Sequence, residues 1–163
     1  MNHAIIAYIG LGSNLAEPIA QINAARAAIA QLHDVRELAI SSLYQSVPMG
    51  PQDQPDYVNA VMSVQTSLAP IALLRALQAI ETDQGRIRTG ERWGARTLDL
   101  DVLLYGDQIL DLPDLTVPHV GISERAFVLY PLFEIAPQLV IPSKGPLTDL
   151  LAHCPYSGLT RLD

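Results

Sequence analysis

The sequence has almost no cysteine for covalent cross-links and no long apolar segment for insertion into a membrane. Its 163 residues include one cysteine, Cys154, which excludes an intramolecular disulfide. No apolar run approaches the roughly 18–20 residues that a membrane-spanning helix needs, and the apolar segment at 4–9 is too short for a secretory leader. We therefore expect one soluble domain over residues 1–163, located in the reducing cytoplasm and without a membrane partner.

Positive charge is scarce, and most of it is arginine. The formal net charge is −7, which disfavours nucleic acid as a general partner. Only Lys144 is a lysine, whereas Arg86, Arg88, Arg92 and Arg96 lie close together in the chain. A guanidinium group binds phosphate oxygens through two parallel hydrogen bonds, while an ammonium group is a point charge. The arginine cluster therefore predicts a local site for a small phosphate-bearing ligand.

The usual glycine-rich phosphate loops are missing. A Gly-Leu-Gly segment at 10–12 follows a short apolar strand, but Leu15 stands where the third glycine of GxGxxG belongs. The sequence also contains no GxxxxGK[ST] segment. We interpret the glycines as a strand-to-helix turn, and we expect any nucleoside triphosphate to be held by metal and arginine.

Asp99 and Asp101 lie two residues apart in the segment LDLDVLL at 98–104. The alternation predicts a strand with its leucines on one face and both carboxylates on the other, roughly 6.6–6.8 Å apart. Such a spacing can enclose two divalent cations about 3.5–4 Å apart. Oxygen ligands without histidine or cysteine nearby favour Mg²⁺ or Mn²⁺ over Zn²⁺, with substrate phosphates and water completing the shell.

A simpler interpretation of this region is a solvated edge strand after a charged loop. Its arginines and aspartates would then pair with each other and with water, contributing roughly 0–1 kcal/mol per exposed pair. Four arginines in so short a stretch of an acidic chain favour the phosphate-and-metal site.

The spacing of apolar residues predicts an α+β fold. The predicted elements are a strand at 4–10, a helix ending near 33, strands at 38–47 and 57–64, a helix at 70–85 and a strand at 98–104. The apolar faces of the two helices carry Ile22, Ala25, Ile29 and Leu32 in the first and Ile71, Leu74, Leu77 and Ile80 in the second. The order β-α-β-β-α-β is typical of a ferredoxin-like core, and we expect additional C-terminal helices at 124–135 and 147–153.

Four further side chains suit a ligand site, and three of them have a structural alternative. Tyr57 and Asn59 share a strand face beside a long polar loop, which suits stacking on a flat heterocycle and hydrogen bonding to its edge. Tyr57 is equally compatible with ordinary packing. His119 either donates to a phosphate or satisfies a backbone carbonyl, and Trp93 either packs in its loop or covers a nucleobase.

Four segments together resemble the 6-hydroxymethyl-7,8-dihydropterin pyrophosphokinases of folate biosynthesis. They are GPQDQPDYVNA at 50–60, RWGARTLDLD at 92–101, TVPH at 116–119 and RAFVLYPLFEIAP at 125–137. The resemblance runs from about Tyr8 to Pro142. It implies a ferredoxin-like α+β fold and transfer of the terminal pyrophosphoryl unit of ATP to the pterin hydroxymethyl oxygen, with release of AMP.

The resemblance also implies roles for individual residues. Asp99 and Asp101 would hold two Mg²⁺ ions, and together with Arg86 and Arg96 they would form the catalytic set. The implied pterin-binding residues are Ser46, Val47, Met49, Tyr57, Asn59, Trp93 and Phe127. The implied ATP-binding residues are Gln78, Glu81, Arg86, Arg88, Trp93, Arg96, His119 and Arg125.

Two residues depart from the family pattern. Ala95 replaces the proline that is usual before the second catalytic arginine, which loosens the loop. Val120 follows His119 where a larger residue is expected, which alters packing against the nucleotide. Neither position carries a group that performs chemistry, and we expect a monomer that acts on small molecules.

Two alternative functions are compatible with the residues. A two-metal nucleotidyltransferase or cyclase also carries paired carboxylates on such a sheet, and it would release pyrophosphate instead of AMP. A pterin- or nucleotide-binding module without activity would bind ligand and not turn it over. The intact set of Arg96, Asp99 and Asp101 favours an active enzyme.

Overall fold

The computed structural model describes residues 4–14, 17–46, 57–88, 98–156 and 158–162, with backbone alone for 85–88. Its strands are β1 (Ile5–Ser13), β2 (Val35–Ile40), β3 (Leu43–Ser46), β4 (Tyr57–Thr66), β5 (Leu98–Tyr105), β6 (Leu110–Leu112), β7 (Leu115–Val117), β8 (Val140–Ile141), β9 (Gly145–Pro146) and β10 (Leu159–Leu162). Its helices are α1 (Pro18–Ala30), α2 (Pro70–Arg88), α3 (Ala126–Ile135) and α4 (Leu147–Ala152).

The main sheet is antiparallel and, within the described ranges, has six strands. Its order is β10-β3-β4-β1-β5, and β2 pairs with β4 next to β3. The short pairs β6-β7 and β8-β9 lie outside it. The result is a mixed α/β fold with an antiparallel sheet and helices, as the apolar spacing predicts.

Each face of the sheet carries its own buried apolar cluster. On one face, α1 and α2 pack against the apolar residues of β1, β4 and β5. On the opposite face, α3 and α4 pack against Val61, Leu103 and Leu104. Leu103 and Leu104 share this face because the pairing of β1 with β5 shifts there by one residue, as in a β-bulge.

Several predicted boundaries differ from the observed ones, and three of the differences have a visible cause or extent. β1 continues through the glycines to Ser13 because it pairs with β4 and β5 along that length. The single strand expected at 38–47 is two strands, interrupted at Ser41, whose hydroxyl oxygen accepts the Val61 N–H at 3.0 Å. α2 passes the expected stop at Gly85 and ends at Arg88.

The C-terminal predictions are close to the observed elements. α3 begins two residues later than expected and contains Pro131. α4 confirms the predicted closing helix. None of the helices in the described residues is both long and apolar enough to cross a membrane.

Candidate active site

A cavity of about 240 Å³ opens on the sheet face that α3 covers. β1, β3, β4 and β5 contribute to it, together with the start of α3 and the segment before that helix. Its lining residues are Gly10, Leu11, Gly12, Ser46, Tyr57, Asn59, Ala60, Asp99, Asp101, Leu103, His119, Arg125, Phe127 and Val128. Most of the described side chains predicted for the site therefore share one cavity.

Two glycines of the central strand make room for this cavity. Gly12 lies opposite Asn59 on one side and Asp99 on the other, and Gly10 lies opposite Asp101. Directly opposed residues of a sheet point their side chains to the same face, so the glycines leave space between the flanking polar groups. The expected strand-to-helix turn at these glycines is wrong, and they are part of the site.

Gly12 has less free space than Gly10. A Cβ atom at Gly12 would lie 3.0 Å from Asn59 Oδ1, closer than an ordinary van der Waals contact. At Gly10 the nearest atoms would be those of the Leu103 side chain at 3.4 Å. The sequence signal for this role is that Gly10 and Gly12 are two residues apart, so in a strand both positions point to the same face.

The aspartate strand has the predicted geometry. Leu98, Leu100 and Val102 are buried on the α1/α2 face, while Asp99 and Asp101 line the cavity. The Asp101 side chain is 46% exposed. The described residues contain no group of three or more histidine, cysteine, aspartate or glutamate side chains placed to hold a metal.

Glu81 connects α2 to the backbone between the two aspartates. Its carboxylate accepts the Leu100 N–H at 2.7 Å. Burial raises the pKa of Glu81, and the charges of Asp99 and Asp101 raise it further, while the hydrogen bond from Leu100 lowers it. This contact fixes the outer edge of β5 beside the site.

Two of the α2 residues predicted to bind ATP, Gln78 and Glu81, lie outside the cavity lining. Glu81 is engaged with β5, and the exposed Gln78 accepts a hydrogen bond from Arg75 Nη1 at 2.9 Å. Their contact with a nucleotide stays a prediction.

The predicted pterin residues on β3 and β4 are joined by a hydrogen bond. Asn59 Nδ2 donates to Ser46 Oγ at 2.8 Å, and both residues are buried. Tyr57 and Phe127 line the same cavity from β4 and from the first turn of α3. The cavity therefore offers aromatic surface next to a fixed amide, which suits a flat polar ring.

His119 and Arg125 approach from the segment before α3. The Gly121 N–H donates to His119 Nδ1 at 3.2 Å, so Nε2 carries the ring proton in the neutral imidazole. Nε2 lies 3.9 Å from Asp101 Oδ2. The Arg125 guanidinium carbon is 5.8 Å from the centre of the Phe127 ring, within the range of a cation–π contact. His119 thus presents an N–H donor near Asp101, and Arg125 lines the same cavity.

Several predicted residues lie outside what the structure describes. Val47, Met49, Trp93 and Arg96 are outside the described ranges, as is Ala95. For Arg86 and Arg88, the structure gives the backbone in the last turn of α2 and no side chain. The second departure from the family pattern, Val120, is described and is 73% exposed.

Comparison with known proteins identifies relatives over nearly the whole chain. The sequence model of the 7,8-dihydro-6-hydroxymethylpterin-pyrophosphokinase family matches residues 8–137. The chain is 57% identical over 155 residues to 2-amino-4-hydroxy-6-hydroxymethyldihydropteridine pyrophosphokinase of Pseudomonas aeruginosa, covering 95% of each chain. It is 54% identical over 159 residues to the protein of that name from Haemophilus influenzae, covering 98% of this chain and 99% of the other.

A solved structure agrees with the fold. Wild-type HPPK-DHPS of Plasmodium falciparum with pteroate superposes with a TM-score of 0.72 at 13% identity. The chain spans less than half of that structure, since the match covers 94% of this chain and 43% of the other. Because the family match spans residues 8–137 and both bacterial relatives are more than half identical, the chain belongs to the 7,8-dihydro-6-hydroxymethylpterin-pyrophosphokinase family.

Proposed function

We propose that this protein transfers the terminal pyrophosphoryl group of ATP to the hydroxymethyl oxygen of 6-hydroxymethyl-7,8-dihydropterin, in folate biosynthesis. The observation that carries the proposal is one cavity that gathers two carboxylates, a histidine, an arginine and two aromatic rings. The family and the relatives are named for this pyrophosphokinase activity. The carboxylates suit a metal–phosphate site, and the aromatic end suits the pterin.

The finer fold assignment, a ferredoxin-like β-α-β-β-α-β core, is part of this proposal. If β2 and β3 are counted as one interrupted strand, the chain order of the core elements has this pattern. Every described pairing in the main sheet is antiparallel. Counted in this way, β4 is the third core strand and β5 the fourth, and β1 lies between them. α3 and α4 are additional to this core, and they cover the second face of the sheet.

Asp99 and Asp101 are the residues we assign to two Mg²⁺ ions. Both carboxylates line the cavity from one strand face, and their oxygen donors are the type that Mg²⁺ prefers. Two protein carboxylates leave positions for phosphate oxygens and water, as is usual for Mg²⁺ at nucleotide sites. When bound, such ions neutralise the charge on the attacking and leaving oxygens of a phosphoryl-type transfer.

The transfer forms a bond between the pterin hydroxymethyl oxygen and the β-phosphorus of ATP. The bond from that phosphorus to the oxygen of the α-phosphate breaks, AMP leaves with that oxygen, and the hydroxyl proton is released. Arg125 and the Nε2–H of His119 are N–H donors directed at anionic oxygens, and we assign Arg86 and Arg96 to the phosphates on the family pattern. Ser46, Asn59, Tyr57 and Phe127 orient the pterin ring.

The net charge of −7 supports small-molecule substrates over nucleic acid. We propose that the protein acts as a monomer in the cytoplasm.

A product assay tests the proposal. The protein is incubated with ATP, Mg²⁺ and 6-hydroxymethyl-7,8-dihydropterin, and AMP and pterin pyrophosphate are quantified against reactions that lack pterin or metal. We expect AMP and pterin pyrophosphate in equal amounts, and only in the complete reaction. Release of pyrophosphate would indicate nucleotidyl transfer, and pterin binding without AMP would indicate an inactive binding module.

A further inference from the structure

Gly121 lies between His119 and Arg125, in the segment that leads into α3. It is buried, and the position that a Cβ atom would take is already filled by the Arg125 side chain. Such a Cβ would lie 2.7 Å from Arg125 Cζ and 3.0 Å from Arg125 Cδ, and it would also overlap Arg125 Nε. The guanidinium group of Arg125 thus rests on the bare backbone of Gly121.

The backbone of Gly121 also contacts His119. Its N–H donates to His119 Nδ1 at 3.2 Å, and its carbonyl oxygen accepts the Glu124 N–H at 3.1 Å. The first bond holds the neutral imidazole with its proton on Nε2, the nitrogen near Asp101. One residue therefore contacts two of the polar side chains that line the cavity.

Glycine is not required here by the backbone conformation. Gly121 is absent from the residues with positive φ in the described chain, so alanine can adopt the same backbone without strain. The atoms that an added Cβ would meet belong to the end of a flexible arginine, which can move away. A substitution at this position should therefore displace Arg125 and leave the fold intact.

We propose that Gly121 is a positioning residue of the active site. The missing side chain allows the Arg125 guanidinium to lie between the Gly121 backbone and the Phe127 ring, where it faces an anionic ligand. The backbone N–H sets His119 as a donor toward the same ligand. The inference rests on the proposed function, in which Arg125 binds the phosphates of ATP.

A double-mutant cycle tests this role. Gly121→Ala, Arg125→Ala and the double variant are compared with the wild type by the KM for ATP, the KM for the pterin and kcat. We expect Gly121→Ala to raise the KM for ATP by about tenfold, the effect of losing one hydrogen bond to a charged group. In the Arg125→Ala background, the same substitution should change the KM by less than about twofold, because the side chain that it displaces is gone.

Two readouts separate positioning from loss of structure. Ser123→Ala is the control, since it lies in the same segment and adds no atom. The thermal unfolding midpoint of Gly121→Ala should equal that of this control if the fold is intact. The ¹⁵N shifts of the His119 ring should keep the Nε2–H pattern, because alanine retains the backbone N–H.

The outcomes distinguish the inference from the proposed function. If Arg125→Ala weakens ATP binding and Gly121→Ala does not, the inference about Gly121 is overturned while the nucleotide site stands. Independent, additive effects in the double variant would also overturn it. If Arg125→Ala has wild-type kinetics, the assignment of Arg125 to ATP is wrong, and the role of Gly121 is overturned with it.

Discussion

The carboxylates of Asp99 and Asp101 occupy alternate positions of β5, and each is opposite a glycine of β1. This placement keeps both carboxylates accessible to a ligand while the alternating Leu98 and Leu100 are buried in the core. Their removal should therefore affect chemistry more than folding, since a partly exposed charge contributes little to stability.

Replacing Asp101 by asparagine should abolish turnover and leave the fold unchanged. The substitution keeps the shape of the side chain and removes the charge that we assign to Mg²⁺. We expect kcat to fall by more than about 10², the scale of losing a preorganised electrostatic contact. Steady-state AMP release across a Mg²⁺ titration measures the effect. Asp107→Asn, an exposed position after β5, is the control, and wild-type turnover in Asp101→Asn would refute the metal assignment.

Gly12→Ala should selectively weaken pterin binding. The added methyl group would meet Asn59 Oδ1 at 3.0 Å and push the amide away from its bond to Ser46. Overpacking of this kind typically costs 1–3 kcal/mol, so we expect a loss of pterin affinity of about tenfold or more. Calorimetric titrations with pterin and with MgATP measure the two affinities. Equal weakening of both ligands, or no weakening of pterin, would show that Gly12 does not support the amide.

At the scale of elements, α3 joins the core to the site. Its first turn carries Phe127 into the cavity, and its last turn places Glu134 beside β3 and β10, at one edge of the sheet. The Glu134 carboxylate accepts hydrogen bonds from the Ser42 hydroxyl at 2.8 Å, the Ser42 N–H at 3.0 Å and the Tyr44 hydroxyl at 2.8 Å. Arg161 of β10 lies 3.7 Å away. One carboxylate thus connects α3, β3 and β10.

The environment of Glu134 keeps it charged. Burial alone would raise its pKa, but the hydrogen bonds from Tyr44 and Ser42 and the charge of Arg161 bring the pKa below its ordinary value of 4.5. Burial and the neighbouring carboxylate raise the pKa of the Tyr44 hydroxyl, which therefore remains a donor. A lowered carboxyl pKa stabilises the folded state above about pH 4.5, and this contribution disappears as the pH falls through the folded-state pKa.

Glu134→Gln should destabilise the protein at neutral pH and less so in acid. The variant loses charged hydrogen bonds, and we expect a loss of about 1–2 kcal/mol in the free energy of unfolding at pH 7. Because the wild-type contribution vanishes on protonation, the difference between the two proteins should shrink as the pH falls below about 4.5. Urea unfolding at several pH values measures it. A difference that is constant with pH would show that the charge of Glu134 does not support this connection.

At the scale of the whole molecule, the cavity adjoins the apolar core on the same face of the sheet. Leu103 belongs to the apolar cluster under α3 and also lines the cavity. Ligands that fill this cavity bind only the folded state, so they should raise its stability by mass action.

Ligand-induced stabilisation should depend on metal. At a MgATP concentration 100 times its dissociation constant, the gain is about 2.7 kcal/mol, and it should raise the unfolding midpoint by several degrees. EDTA, or the Asp101→Asn substitution, should remove most of this shift, because the phosphates then lose their bridge to β5. Thermal scans with ATP, with and without Mg²⁺, measure it. An equal shift without metal would show that the arginines alone hold the nucleotide.

Local pattern was sufficient for the features that depend on neighbours along the chain. The alternation at 98–104 determined that both aspartates share a face opposite the buried leucines, and the structure confirms it. Helical spacing likewise identified Ile22, Ala25 and Ile29 as the buried face of α1. These features follow from the fixed periods of strand and helix, which any short segment carries in itself. The pterin, ATP and Mg²⁺ roles of individual residues came from the family resemblance, and all of them stay predictions.

Tertiary structure alone decided which distant groups meet. The pairing of β1 with β4 and β5 turned the Gly12 segment from an expected turn into part of the cavity. Glu134 reaches Ser42 across 92 positions of sequence, and Glu81 reaches the Leu100 N–H from another element. Arg125 lies against Gly121 because the segment before α3 folds back on itself. Strand register and side-chain contacts of this kind are set by packing the whole chain into one core, and no local period encodes them.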